Sequence, residues 1–184
     1  MALVNPKIKI TYEDYCHLPE DKRYELIGGE LFLVPSPSVL HQMVSANLEF
    51  ILRRFVNEKG LGVVLYAPLD VLFTSTDVVQ PDIIFISRTR QEIIKEANIQ
   101  GAPDLIIEIL SPSTSLRDQT IKKQLYAQHG VCELWLVNPI VQSTEVFNLA
   151  PEGHKEPEYY SRKTKKILKS IVLSGLEVNL DEVF

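Results

Sequence analysis

Residues 102–139 read APDLIIEILSPSTSLRDQTIKKQLYAQHGVCELWLVNP, and this stretch decides the fold. It begins with an apolar run of strand length, residues 105–110, which one carboxylate, Glu108, interrupts. A Ser-Pro-Ser-Thr loop, a polar helix and a second apolar run at residues 134–137 follow. A strand, a helix and a strand in so short a stretch predict a βαβ unit with two parallel neighbouring strands. A carboxylate in a buried strand is costly unless it is paired or binds a metal, so Glu108 is the first candidate functional residue.

The segments around this unit predict an α/β protein with an antiparallel fringe. Thr11 begins a capping box and a short helix that ends near His17. Apolar residues at helical spacing predict one amphipathic helix from Val39 to about Glu58. The remaining strands are expected as a hairpin over residues 24–34, single strands over 62–67, 69–74 and 143–148, and a peripheral hairpin of 158–161 with 167–170. Pro81 indicates either a strand that starts near Asp82 or an edge strand, and a helix is expected over 88–98.

Length and composition restrict the class of protein. A chain of 184 residues favours one domain, residues 1–184, and 45% hydrophobic residues suffice for a full core. No apolar run is long enough to span a bilayer, and the N-terminus lacks a signal-peptide pattern. Cys16 and Cys132 form neither a disulfide framework nor a metal-ligand spacing, so we expect reduced thiols and a cytoplasmic protein. The net charge of −5 argues against a general nucleic-acid coat protein, although a local basic patch remains open.

Charged residues accompany apolar strands at three places. Asp82 follows Pro81 at the start of IIFI, and Glu108 lies within DLIIEIL. In the helix after Glu108, Asp118, Lys122 and Tyr126 recur every four residues and therefore share one face. If this helix packs back over the sheet, Lys122 can point at the two strand carboxylates.

Two carboxylates and a lysine form a set that suits phosphoryl chemistry. Mg²⁺ and Mn²⁺ prefer carboxylate oxygens as ligands. A bound metal lowers the pKa of a water and neutralises charge on a phosphoryl oxygen. A lysine can orient the nucleophile or stabilise the charge that develops on the phosphate.

These residues carry a resemblance to a known superfamily and, within it, to one family. Pro81-Asp82 followed after about twenty-five residues by Glu108 resembles the PD-(D/E)XK nuclease signature. APDLIIEILSPST, Asp118-x3-Lys122-x3-Tyr126 and the GVCELW and VNP segments resemble the Uma-two family, as do TYEDYCHLPED, YELIGGEL and PSPSVLHQMV with His41. The resemblance covers about residues 10–140. It implies a restriction-endonuclease-like fold with a central mixed sheet flanked by helices, a divalent metal, Mg²⁺ or Mn²⁺, and a DNA substrate.

The resemblance has one departure, because the superfamily's Glu-x-Lys would place the lysine at position 110, which is Leu110 here. It therefore implies that the catalytic lysine has moved to Lys122, with Asp82 and Glu108 as the metal ligands. Each residue also has an ordinary structural explanation. Asp82 could be a turn residue after proline, Glu108 could belong to a core ion pair, and Lys122 could be solvated with Lys123 as its rival.

Accessory site residues are predicted at Glu30, His41, Asp118 and Tyr126. Glu25 and Glu49 are the rivals to Glu30. The alternatives for the others are a water-facing helix start for His41, a first-turn acid for Asp118, and packing with a hydroxyl at the rim for Tyr126.

A basic stretch could contact the DNA backbone, or it could be a solvated hairpin. Its cations are Arg162, Lys163, Lys165, Lys166 and Lys169. We expect Trp135 in the core or at a subunit interface, and a homodimer, since nucleases that cut both strands are often two-fold symmetric.

Three functions compete. The first is a metal-dependent endonuclease that hydrolyses phosphodiester bonds in DNA. The second is a catalytically inactive nucleic-acid-binding or assembly module on the same fold. The third is a hydrolase of another class, which no nucleophile elbow, phosphate loop or zinc spacing supports.

Overall fold

The computed structural model describes residues 9–19, 21–111, 118–150 and 156–184, and it describes the backbone but not the side chain of Asp118. Most of the predicted Ser-Pro-Ser-Thr loop therefore lies outside the described residues.

A six-stranded mixed sheet forms the centre of the fold, in the order β11-β10-β9-β8-β6-β3. Its strands are β3 (Gly62–Tyr66), β6 (Ile83–Ser87), β8 (Leu105–Ile109), β9 (Glu133–Asn138), β10 (Ser143–Asn148) and β11 (Glu158–Ser161). β8 and β9 are parallel neighbours, as the βαβ pattern predicts, and the other neighbouring pairs are antiparallel.

A second sheet of five strands has the order β2-β1-β5-β4-β7. Its strands are β1 (Arg23–Ile27), β2 (Glu30–Val34), β4 (Val71–Thr74), β5 (Asp77–Val79) and β7 (Ile99–Gln100). The predicted hairpin around Gly28-Gly29 is confirmed as β1–β2. Residues before and after Pro81 belong to different sheets, because proline cannot donate a ladder hydrogen bond and so ends one strand before the next begins.

The helices are α1 (Tyr12–Tyr15), α2 (Val39–Lys59), α3 (Lys123–His129) and α4 (Leu180–Val183), with a 3₁₀ segment (Arg88–Ile93) and a π-helical turn (Asp118–Lys122). The capping box at Thr11 and the long helix α2 follow the predictions. The predicted helix over 88–98 is too long. It stops because Ile94 is extended and pairs with Ile99, which continues into β7 beside β4.

Alternation along β8 divides the interior into two cores. Leu105, Ile107 and Ile109 pack with α2 and α4 on one face of the central sheet. Ile106 and Leu110 pack on the other face, with α3 and the second sheet. Successive strand residues point to opposite faces, so Glu108 belongs to the face that α3 and the second sheet cover.

The periphery differs from the prediction in its pairing. A small antiparallel sheet is present, but it consists of β12 (Ile167–Lys169) and β13 (Glu177–Asn179). β11 pairs with β10 instead, which buries Tyr160 in the core. The fold class is as predicted: α/β, with a mixed central sheet flanked by helices and a peripheral antiparallel element. No helix of the described residues is long and apolar enough to cross a membrane.

Candidate active site

Asp82 and Glu108 occupy opposite positions on neighbouring strands. Ile83 of β6 pairs with Ile107 of β8 in an antiparallel ladder, so the next step of the same register sets Asp82 opposite Glu108. Directly opposite residues of an antiparallel pair point to the same face. Both residues line one cavity of about 610 Å³.

The carboxylate of Asp82 is held by two donors on the same oxygen. The backbone N–H of Ile109 donates to Asp82 Oδ2 at 2.7 Å, and His41 Nε2 contacts that oxygen at 3.1 Å. His41 is fixed in the first turn of α2, where its backbone N–H donates to the capping oxygen of Ser38. His41 therefore joins the cavity as a partner of Asp82.

The carboxylate of Glu108 is held by two donors from the helix that follows it. Lys122 Nζ donates to Glu108 Oε1 at 3.0 Å, and the Tyr126 hydroxyl donates to the same oxygen. The helical face predicted from the four-residue spacing thus brings Lys122 and Tyr126 together on Glu108. Tyr126 is fully buried, so its hydroxyl is not at the rim as expected.

A second glutamate completes this cluster. Glu25 Oε1 lies 2.7 Å from Lys122 Nζ and accepts a hydrogen bond from the backbone N–H of Gln80 at 3.0 Å. Glu30, the acid favoured from the sequence, is exposed and does not line the cavity, and its rival Glu25 does. The sequence signal for Glu25 was a carboxylate between Tyr24 and Leu26 within a predicted strand, but the contact with Lys122 that separates it from Glu30 forms only in the folded protein.

The rival residues point elsewhere. Lys123 Nζ lies 4.3 Å from the centroid of the Phe147 ring, away from the strand carboxylates. Glu49 forms an ion pair with Arg53 one turn along α2 and does not line the cavity. The side chain of Asp118 lies outside the part of the chain that the structure describes, so its role in the site stays a prediction.

The cavity contains more acids than permanently charged bases. Glu25 and Glu108 have 1% and 3% of their surface exposed, and Lys122 has 4%. Among the described residues that line the cavity, the carboxylates are those of Glu25, Asp82 and Glu108, and the permanent cations are Arg23 and Lys122. Carboxylate oxygens are the ligands that hard divalent cations prefer.

The donor set fits a hard divalent cation that keeps part of its water shell. Among the described residues, no group of three or more His, Cys, Asp or Glu side chains is arranged as a metal cage. Mg²⁺ commonly binds through one or two carboxylates, with water and phosphate oxygens completing the shell. Both hydrogen bonds to the Asp82 carboxylate within the described residues go to Oδ2, which leaves Oδ1 for such an ion.

Four of the five cations of the basic stretch form ion pairs with acids of its own neighbourhood. Asp181 pairs with Lys166 at 2.9 Å and with Arg162 at 3.0 Å, and these hydrogen bonds lower the pKa of its carboxyl. Lys165 pairs with Glu158 at 2.8 Å, and Lys169 pairs with Glu177 at 3.0 Å. None of these cations lines the cavity in the described part of the chain.

Comparison with solved structures shows the fold. The chain is similar to a crystal structure described as "a putative nuclease belonging to DUF820" from Anabaena variabilis, with 23% identity and a TM-score of 0.79. The match covers 95% of this chain and 97% of that one. No curated protein matches the chain at a significant level.

Comparison with protein families shows the family. The Uma2 family, described as "Putative restriction endonuclease", matches residues 11–181. This range is most of the 184-residue chain and contains every residue of the cavity described above. The chain therefore belongs to the Uma2 family.

Proposed function

We propose that the protein is a metal-dependent endonuclease that hydrolyses phosphodiester bonds in DNA. The observation that carries the proposal is the cross-strand position of Asp82 and Glu108 in one cavity, with Lys122 donating to Glu108. The description of the family and of the structural relative as nucleases supports the same reaction.

In this proposal Asp82 and Glu108 hold Mg²⁺ or Mn²⁺. When bound, such an ion lowers the pKa of a water and neutralises charge on a phosphoryl oxygen. The backbone N–H of Ile109 and the His41 ring fix the orientation of Asp82 through Oδ2, which leaves its second oxygen for the metal.

Lys122 supplies positive charge where the phosphate gains negative charge. Its ammonium is held between Glu25 and Glu108, so it is oriented before substrate arrives and needs no reorganisation during the reaction. Glu25 acts in this proposal through Lys122, and Tyr126 acts through Glu108; both are positioning residues. Asp118 stays a prediction.

The test is nicking of supercoiled plasmid in the presence of Mn²⁺, together with calorimetric titration of the metal. Wild type should nick the plasmid, and Glu108→Ala should lose both metal binding and nicking. Wild-type protein that binds DNA but does not cut it with any divalent metal contradicts the proposal.

The alternative is a nucleic-acid-binding or assembly module without turnover. The observation that favours it is that Glu25 and Glu108 both form ion pairs with Lys122. A buried charge cluster that only stabilises the fold would have the same contacts. This module would bind DNA equally well with or without Glu108 and would not nick it, and a DNA-binding titration of wild type and Glu108→Ala distinguishes the two functions.

Contacts outside the cavity complete the proposal. The exposed ion pairs of Arg162, Lys165 and Lys166 are weak enough to exchange their carboxylates for DNA phosphates, and Lys163 is exposed beside them. Both cysteines are free, which supports a reducing compartment such as the cytoplasm.

The proposal also includes a homodimer, but Trp135 does not support it. Trp135 is fully buried in the core and cannot serve an interface. Exposed apolar residues on α2, Val39, Met43 and Phe50, recur along one side of the helix and could pair with a second copy. A monomer mass by light scattering at micromolar concentration would refute the dimer.

A further inference from the structure

The carboxylates that we assign to chemistry lie deep inside the protein. Only 3% of Glu108 and 4% of Lys122 is exposed. The cavity above them measures about 610 Å³, within the range of sites that enclose one small-molecule-sized group. A phosphate can reach Glu108 only by entering this cavity together with the nucleotide that carries it.

The exposed lining of the cavity has an apolar part beside the polar residues Ser36, Ser38 and Gln42. Three of the large hydrophobic side chains that the protein exposes form this part: Leu40, Tyr66 and Ile140, which are 46%, 55% and 69% exposed. Tyr66 ends β3 one residue before Ala67, whose backbone N–H donates to the carbonyl oxygen of Asp82 at 3.0 Å. Tyr66 pairs with Ile83, so its ring lies on the α2 face of the central sheet, and at the end of the strand it lines the same cavity as Asp82 and Glu108.

The Tyr66 ring is also backed by a cation. The guanidinium of Arg53 from α2 lies 5.6 Å from the ring centroid. Aromatic rings of this kind stack unpaired bases, and arginine adds a cation–π contribution. The bases of an intact duplex are already stacked on one another and cannot use such a ring.

Few cations line the cavity in the described part of the chain. They are Arg23 and Lys122, and Lys122 is committed to two carboxylates. DNA that binds here, whether duplex or single strand, therefore makes its further phosphate contacts outside the cavity. The preference for a single strand rests on the enclosed site and the exposed ring, which only an unpaired base can use.

We propose that the cavity takes an unpaired nucleotide of a single-stranded DNA, with its base stacked on Tyr66 and its phosphate directed at Asp82 and Glu108. This inference rests on the proposed nuclease function and narrows its substrate class. Enzymes with enclosed sites act in the same way on bases that are unpaired or extruded from the helix.

The first test measures binding apart from cleavage. Fluorescence anisotropy would compare a labelled single-stranded oligonucleotide with its duplex, with Ca²⁺ in place of Mg²⁺ and gels to confirm that the label is intact. The single strand should bind about tenfold or more tightly than the duplex. Tyr66→Ala should weaken single-strand binding about 5- to 100-fold, as loss of one stacked base does.

Tyr66→Phe is the matched control, since it keeps the ring and should bind the single strand like wild type. Equal affinity for both forms of DNA, or an unchanged affinity in Tyr66→Ala, overturns the inference. If Tyr66→Ala instead converts a dimer to a monomer and leaves single-strand binding intact, the apolar part of the lining is a subunit interface and the inference is overturned as well.

The second test measures cleavage with Mn²⁺ and separates this inference from the function on which it rests. Negatively supercoiled plasmid, which contains unpaired regions, should be nicked faster than relaxed closed plasmid. Equal nicking of both would overturn the single-strand inference and leave the nuclease proposal intact. Binding to single strands that depends on Tyr66, without cleavage in any divalent metal, would support the site and overturn the nuclease proposal. Absence of both binding and cleavage overturns both.

Discussion

Two glutamates on neighbouring parallel strands, Glu108 on β8 and Glu133 on β9, are almost equally buried but have different surroundings. Glu108 accepts from an ammonium and a phenol and lines the cavity. Glu133 accepts from the Trp135 indole at 2.6 Å, from Ser170 Oγ at 2.9 Å, and from two backbone N–H groups at residues 171 and 172. Burial raises the pKa of Glu133.

The difference follows from the face of the sheet. Trp135, two residues after Glu133 on the same strand, packs against the core under α2. Glu133 therefore lies on that face, where it fastens the segment before β13 to the central sheet through neutral donors. Glu108 lies on the opposite face, where a cation and a cavity accompany it. A buried carboxylate alone does not identify a functional site; a charged partner and an open volume beside it do.

The largest expected effect, apart from loss of Glu108 itself, comes from Lys122. Lys122→Ala should reduce plasmid nicking by about 10²–10³-fold, the cost of removing a preorganised electrostatic donor, while metal binding persists. Lys123→Ala should be nearly silent, because Lys123 lies about 100° round the helix and contacts Phe147. Initial nicking rates and metal calorimetry on both variants check this.

The removal of Lys122 also leaves two buried glutamates without their shared cation, at a cost of about 3–5 kcal/mol of stability. Circular dichroism at the assay temperature must therefore show that Lys122→Ala is folded. Lys122→Arg, which keeps the charge, is the second control. A folded Lys122→Ala that nicks like wild type, together with an inactive Lys123→Ala, would show that the lysine is misassigned.

Glu133→Gln should affect stability and leave nicking unchanged. The amide nitrogen of glutamine would face donors that now meet only carboxylate oxygens, and we expect a loss of about 1–3 kcal/mol. Urea unfolding of wild type and variant at neutral pH measures it. A variant as stable as wild type would mean that this carboxylate does not fasten the C-terminal segment.

The difference in stability between wild type and Glu133→Gln should change with pH in one direction. Burial raises the folded-state pKa of Glu133 above its ordinary value, so the folded protein binds this proton more tightly than the unfolded chain does. The stability that this pKa shift contributes is complete below the ordinary glutamate pKa and is lost as pH rises through the raised value, while the hydrogen bonds to the carboxylate remain. Since glutamine does not titrate, the stability advantage of wild type over Glu133→Gln should shrink across that window. Unfolding curves from about pH 4 to about pH 8 test this, and an advantage that grows with pH would contradict it.

The smallest expected effect concerns the basic stretch, which differs from Lys122 in being exposed. Lys163→Ala or Lys166→Ala should change stability by no more than about 0.5 kcal/mol. Each should weaken DNA binding uniformly across sequences and lower the salt slope of binding by about one. Lys95→Ala, at an exposed lysine whose ammonium donates to the Glu92 carbonyl, is the control. Unchanged slopes in both variants would leave this stretch as a solvated surface.

Sequence patterns were sufficient to predict those features of the site that depend on one segment of the chain. The apolar runs on either side of the helix predict a strand and its parallel partner, and the four-residue spacing of Lys122 and Tyr126 predicts a helical face that returns to the strand. The structure brings both side chains to Glu108. The partner strand of β11 was predicted wrongly, because two short strands flanking a polar stretch do not reveal that a third strand, β10, offers better burial to Tyr160.

Contacts between sheets could not be predicted from the sequence. Glu25 meets Lys122 only because the second sheet packs over the central one, so nothing local distinguishes it from Glu30 except its burial. The hydroxyl of Tyr126 was expected at the rim because periodicity gives the face of a helix but not the depth at which that face is covered.

The most direct measurement places Glu108→Gln and Glu133→Gln side by side in two assays, plasmid nicking with Mn²⁺ and urea unfolding. Glu108→Gln should abolish nicking while the protein stays folded. Glu133→Gln should lower the free energy of unfolding and nick at the wild-type rate under conditions where it is folded. Nicking by a folded Glu108→Gln at the wild-type rate would contradict the assignment of the chemistry to this face of the sheet.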